Sequence, residues 1–126
     1  MGKRLIVADD NPVYRDALKS LLEFSGFEII AEAGNGLEAI EKAEKLNPDL
    51  LLLDISMPKL DGMEVLKELR VRYPDLKIIM LTMYKHLLNQ ALELGANGYC
   101  TKECSPKDLL AGIEKVFKGD ICICTE

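Results

Sequence analysis

Short apolar runs alternate five times with longer amphipathic stretches along the chain. The runs are Leu5 to Ala8, Ile29 to Ala33, Leu50 to Leu53, Ile78 to Leu81 and Gly98 to Cys100. Their brevity and near-continuous apolar character read as strands buried on both faces of a parallel sheet. The stretches between them have helical spacing. The first carries Val13, Ala17, Leu18, Leu21 and Leu22 on one predicted face, and the last carries Leu109, Leu110, Ile113, Val116 and Phe117. Each helix therefore has one face to bury.

The punctuation supports the same division. Asn11-Pro12 supplies a cap with proline in the first turn, and Gly26 follows the first helix. Asn35 with Glu38, and Asp61 with Glu64, have the spacing of a capping box; Ser105-Pro106-Lys107-Asp108 opens the last helix and Gly119 closes it. The fourth helix, expected to start around Tyr84-Lys85-His86, has no capping residue there, so its first turn is predicted to be the least firmly held. Strands and helices alternating in this way predict an α/β fold, a flavodoxin-like (βα)5 doubly wound parallel sheet of strand order 2-1-3-4-5, in one domain over residues 1–126. In such sheets ligands bind beyond the carboxyl ends of the strands, at the switch point between strands 1 and 3.

The residues at those ends carry chemistry. Strand 1 runs into Asp9-Asp10 and strand 3 into Asp54. Three carboxylates brought together repel, and they stay ionised only around a cation; an all-oxygen site with few protein ligands suits Mg²⁺. Strand 4 ends in Thr82, and Lys102 follows strand 5. A hydroxyl and an ammonium at the same edge complement an anion, and phosphoryl transfer asks mainly for positioning and charge neutralisation. One carboxylate could act as nucleophile and become an aspartyl phosphate; Asp54 is the choice. Singly, each of these residues has an ordinary reading as a cap, a strand end or solvated surface. Four adjacent predicted strands delivering them to one edge favours the joint reading.

Composition narrows the classes. The chain has 126 residues, 48% of them hydrophobic, with 16 Lys and Arg against 21 Asp and Glu for a net charge of −5. An acidic balance argues against direct nucleic-acid binding, which needs a basic face. Neither a signal pattern nor an apolar run of membrane-spanning length is present, so a cytoplasmic location is expected. In that compartment Cys100, Cys104, Cys122 and Cys124 are expected as reduced thiols. Their spacings, C-x3-C and C-x-C, do not match paired zinc knuckles. His86, the single histidine, reads as exposed surface.

The residues at these positions resemble one family over essentially the whole chain. Val7-Ala8-Asp9-Asp10 with Asn11-Pro12, Leu53-Asp54-Ile55-Ser56-Met57-Pro58 with Asp61-Gly62, Leu81-Thr82, Gly95-Ala96 and Gly98-Tyr99-Cys100-Thr101-Lys102 are similar to the receiver domain of two-component response regulators. The run Leu81-Thr82-Met83-Tyr84 and the wording from Gly95 to Lys102 resemble the subfamily with a LuxR-type helix-turn-helix output domain. The resemblance implies that Asp54 accepts a phosphoryl group from a phosphohistidine on a sensor histidine kinase. It implies Mg²⁺ ligation by Asp10 and Asp54 and by the backbone carbonyl of Ser56, with Asp9 acting largely through water. Lys102 would contact the phosphoryl group, Thr82 would move to bond it, and Tyr99 would change rotamer. Ser56 and Tyr84 stand at positions that tune hydrolysis of the aspartyl phosphate, the one slow reaction expected besides phosphorylation itself. Homodimerisation on phosphorylation, and DNA contact only through an output domain not in this chain, are further implications.

Two departures and two alternatives complete the picture. Glu103, not proline, follows Lys102, so a trans peptide is expected there. Leu87, Leu88, Leu92 and Leu94 leave the fourth helix with few charges; packing on the sheet is expected for most of them, with a partner face as the alternative. The chain stops at Glu126, where relatives of the subfamily enter a linker, so a segment of a longer transcription regulator is expected, with a stand-alone receiver as the alternative. An aspartate-nucleophile phosphohydrolase would place a second acid two residues beyond the nucleophile, where this chain has Ser56. A phosphorylation-independent interaction domain would leave the acidic trio without work.

Overall fold

The computed structural model describes residues 2–125. Its strands are β1 (Arg4–Ala8), β2 (Glu28–Ala33), β3 (Leu50–Leu53), β4 (Lys77–Thr82), β5 (Gly98–Thr101) and β6 (Cys122–Cys124). Its helices are α1 (Pro12–Phe24), α2 (Gly36–Leu46), α3 (Gly62–Arg72), α4 (Leu88–Glu93) and α5 (Pro106–Phe117). The strands form one parallel sheet of order β2-β1-β3-β4-β5-β6. The predicted five-strand order is present, extended by a sixth strand. The sequence reading missed β6 because its three residues follow Gly119-Asp120 and too few alternate to betray a strand.

Successive strand side chains point to opposite faces, and the core divides accordingly. Leu5, Val7, Leu50, Leu52, Ile79, Leu81 and Cys100 pack with Leu18 and Leu22 of α1 and Leu109, Ile113 and Val116 of α5. Ile6, Ala8, Leu51, Leu53, Ile78, Met80 and Tyr99 pack on the other face with residues of α2, α3 and α4. Continuous burial of β1 and β3 follows from coverage on both sides.

The caps form where the sequence places them, with one change. Asn11 accepts from the Val13 and Tyr14 amides, Asn35 from Glu38, Asp61 from Glu64 and Ser105 from Asp108. The predicted box at α2 is shifted: Glu38 reaches back to the Gly34 amide at 2.9 Å, one residue before the cap. Helix α4 begins at Leu88, later than expected, and no side chain caps it. Leu87, Leu88 and Leu94 pack against the core.

Other expectations need correction. Val13 is 78% exposed and Ala17 is exposed as well; Tyr14 shares the inward side of α1 with Leu18 and Leu22. Helical spacing admitted two adjacent faces, and docking selected the one rotated away from Val13. The cysteines are not all thiols: Cys104 and Cys124 form a disulfide, while Cys100 and Cys122 are free and buried. The sequence shows no proximity between residues 20 apart; strand β6 creates it by lying beside β5. The Lys102–Glu103 peptide is trans, as expected.

Candidate phosphoryl-transfer site

Strand register assembles the site. The Asp54 amide donates to the Ala8 carbonyl at 2.9 Å, and the Asp9 amide donates to Ala33 at 2.9 Å. These bonds continue the ladder one step beyond β1 and β3 and leave Asp9 and Asp54 side by side. On the other flank the Lys102 amide donates to the Thr82 carbonyl at 2.8 Å. The residues predicted at four strand ends therefore share the carboxyl edge of adjacent strands.

Carboxylate oxygens of Asp9, Asp10 and Asp54 lie within 4.8 Å of one another. Asp9 and Asp54 are buried, and Asp10 forms the exposed rim. Asp9 is held firmly: its Oδ1 accepts from the Asn11 amide at 2.9 Å, and its backbone carbonyl accepts from Arg15 Nη1 at 2.6 Å. The Lys102 ammonium lies 2.8 Å from Asp9 Oδ2 and 3.2 Å from Asp54 Oδ2. It also stands over the Tyr14 ring, whose centroid is 4.5 Å away. Sequence reasoning missed Tyr14 and Arg15. Their place in the first turns of α1, immediately after the acidic pair, was the available signal.

Burial, then the charge of Asp9, pushes the Asp54 carboxyl above its ordinary value; Lys102 and the Ser56 amide oppose this. That amide stands 3.4 Å from Asp54 Oδ1, a long contact with little strength. Burial alone would lower the Lys102 pKa, but its bond to Asp9 and the charge of Asp54 hold the ammonium above its usual value. Two buried like charges are thus partly neutralised by one lysine. Oxygen donors without a soft ligand, crowded at this distance, fit a hard divalent cation.

The remaining predicted residues line the neighbouring edge. Thr82 is buried, and its hydroxyl accepts from the Tyr84 amide at 3.2 Å. Tyr99 is fully buried, pointing inward, and its hydroxyl donates to the Tyr84 carbonyl. Thr82 and Tyr99 thus both hold the backbone of Tyr84, a residue 42% exposed whose ring meets the exposed His86 edge-on at 5.8 Å. Ser56 is exposed beside Asp54. Gly62 backs the loop, with its amide on the Ile55 carbonyl at 2.8 Å; a Cβ there would stand 2.2 Å from the Asp54 carbonyl.

Known proteins resemble this chain in sequence and in fold. The family model described as response regulator receiver domain matches residues 5–114. The chain is 39% identical over 126 residues to the transcriptional regulatory protein YdfI of Bacillus subtilis, covering 98% of this chain and 58% of that protein. It is 34% identical over 120 residues to the chemotaxis protein CheY of Thermotoga maritima, covering 94% of this chain and 100% of that one. A LuxR-family two-component response regulator from Aurantimonas superposes with a TM-score of 0.92 at 29% identity, covering 97% of this chain and 89% of that structure. The chain spans about half the length of the transcriptional regulators it matches. No helix among the described residues is long and apolar enough to cross a membrane.

Proposed function

Because the chain belongs to the response regulator receiver domain family, we propose that it is a cytoplasmic phosphoacceptor switch in which Asp54 takes a phosphoryl group from a phosphohistidine of a sensor histidine kinase. An oxygen of the Asp54 carboxylate attacks phosphorus, the P–N bond breaks, and the histidine nitrogen leaves with the electron pair. The observation that carries this reading is the crowding of three carboxylates, with one lysine bridging Asp9 and Asp54.

Asp9, Asp10, Asp54 and the backbone carbonyl of Ser56 would hold Mg²⁺. Bound there, the ion would neutralise charge on the transferred phosphoryl oxygens. Lys102 is already 3.2 Å from Asp54 and can turn from Asp9 toward the incoming oxygens. The Thr82 hydroxyl, engaged only by the Tyr84 amide among the described residues, can rotate to donate to the same group. Phosphorylation adds about −1.5 to −2 charge at this point. Withdrawing Thr82 from Tyr84 loosens the segment before uncapped α4, and with it the Tyr84 carbonyl that holds the inward Tyr99 hydroxyl, which frees that side chain to change rotamer. Ser56 and Tyr84, flanking the acceptor, would tune how long the phosphoryl group stays. Self-phosphorylation and slow self-dephosphorylation are the only reactions assigned. The switched α4 and β5 side would govern an output domain, with homodimerisation on phosphorylation and transcription regulation as the readout.

Incubation with acetyl phosphate and Mg²⁺, read by intact mass, tests the proposal. One acid-labile phosphoryl adduct is expected on the natural chain and none on Asp54→Asn. An unmodified natural chain, or equal labelling of the variant, overturns it.

A further inference from the structure

All four cysteines converge on one corner of the sheet, sorted into two pairs of different character. Cys100 and Cys122 are buried on adjacent strands with their sulfurs 3.6 Å apart. Cys104 and Cys124, joined as a disulfide, are only half-buried. Cys104 borders a groove between α1 and α5 that Tyr14, Lys102 and Leu109 also line. Cys124 borders a separate hollow with Gly112 and Lys115. Reactivity of a thiol follows its exposure, so the outer pair is the one a soluble reagent can reach.

We propose that Cys104 and Cys124 form a reversible thiol oxidation site that small-molecule disulfides of the glutathione type convert between dithiol and disulfide. Two features give the pair leverage. Cys104 lies two residues beyond Lys102, in the turn closed by its own amide on the Thr101 carbonyl at 3.0 Å. Cys124 ends β6, an edge strand of three residues that pairs only with β5 and buries only Cys122 well, Ile123 being 51% exposed. So little buried surface leaves β6 weakly held without the cross-link. The disulfide ties β6 to the loop that carries Lys102, the lysine bridging Asp9 and Asp54.

The chemistry balances as thiol–disulfide exchange. One cysteine thiolate attacks a sulfur of the small disulfide, its S–S bond breaks, and one small thiolate leaves. The second cysteine thiolate then attacks the resulting mixed disulfide and releases the other small thiolate. Two cysteine thiols are oxidised, one small disulfide is reduced to two thiols, and the two protons pass to the departing thiolates. Disulfides in a reducing compartment are characteristically transient and redox-sensing, so the reversibility rests on the cytoplasmic placement proposed above. The measurement below does not use phosphorylation, and its failure is distinguishable from failure of the phosphoacceptor reading.

The test equilibrates the full chain in glutathione buffers from reducing to oxidising, stops exchange with acid, alkylates every free thiol in denaturant near neutral pH, and maps the labels by mass. Loss of two hydrogens, with Cys104 and Cys124 protected and Cys100 and Cys122 labelled, is expected at the oxidising end, reversed by reductant with the circular dichroism unchanged. Amide exchange in residues 121–124 should quicken roughly tenfold or more on reduction. Cys104→Ser and Cys124→Ser should each exchange like the reduced chain in every buffer, and Cys100→Ser should still close the outer pair. Four labelled thiols under oxidising conditions, a cross-link mapped to Cys100 and Cys122, unfolding on reduction, or identical exchange in both states would each overturn the proposal.

Discussion

Lys102 is bonded more closely to Asp9 than to the acceptor, its ammonium standing 2.8 Å from Asp9 Oδ2. In this arrangement the lysine occupies charge that a divalent ion would otherwise neutralise. Removing it should therefore separate two properties that usually move together. Lys102→Met is expected to bind Mg²⁺ about threefold to tenfold more tightly by calorimetry, from the lost repulsion at a partly buried site. Its labelling by acetyl phosphate should fall by roughly tenfold to a hundredfold. Weaker Mg²⁺ binding in the variant would mean that the lysine organises the carboxylates.

Tyr14 contacts the same lysine, with its ring centroid 4.5 Å from the ammonium. A cation–π contact of about 0.5–1 kcal/mol predicts that Tyr14→Leu slows phosphorylation by roughly twofold to fivefold. Tyr14→Phe keeps the ring face and should stay near the natural rate. Equal loss in both variants would assign the effect to the hydroxyl.

Gly62 is required by proximity, since an added Cβ would stand 2.2 Å from the Asp54 carbonyl oxygen. Gly62→Ala must displace the backbone of the acceptor loop. A loss of about 1–3 kcal/mol in urea unfolding is expected, together with slower phosphorylation. An unchanged midpoint would show that the loop gives way freely.

Tyr99→Phe removes the bond to the Tyr84 carbonyl while keeping the buried ring. Stability should fall by no more than about 1–1.5 kcal/mol, and the rate of phosphorylation should hold. Amide exchange in residues 83–88 should rise before phosphorylation. Faster phosphorylation would indicate that the tyrosine restrains the acceptor edge itself.

The buried acceptor predicts a pH signature. Burial and the charge of Asp9 raise the Asp54 carboxyl above its ordinary value, so the folded state holds this proton more tightly than the unfolded chain does. The linked stability is complete below the ordinary carboxylate range and is lost as pH rises through the raised value. In metal-free buffer Asp54→Asn, which cannot ionise, should melt above the natural chain at neutral pH. The gap should close as pH falls below the ordinary carboxylate range, and a gap independent of pH would contradict the assignment.

Much of this site is legible in the sequence because Asp9, Asp54, Thr82 and Lys102 each follow or end an apolar run, and strand ends of a doubly wound sheet lie at one edge. Helix directions are less legible. Val13 and Tyr14 are neighbours in the chain, yet Val13 meets solvent and Tyr14 faces Lys102; one residue turns a helix by about 100°, and the docking angle selects the face.

Local pattern by itself determined the alternation of the first five strands with five helices, the caps at Asn11, Asn35, Asp61 and Ser105, and the acidic edge, since these depend on hydrogen bonds and periodicity within a few residues. Tertiary structure alone decided that Lys102 sits against Asp9 and that Tyr14 covers it. It also decided that β6 joins the sheet and brings Cys124 to Cys104. Those are contacts between distant segments, set by how packed layers settle against each other, and no local preference encodes them.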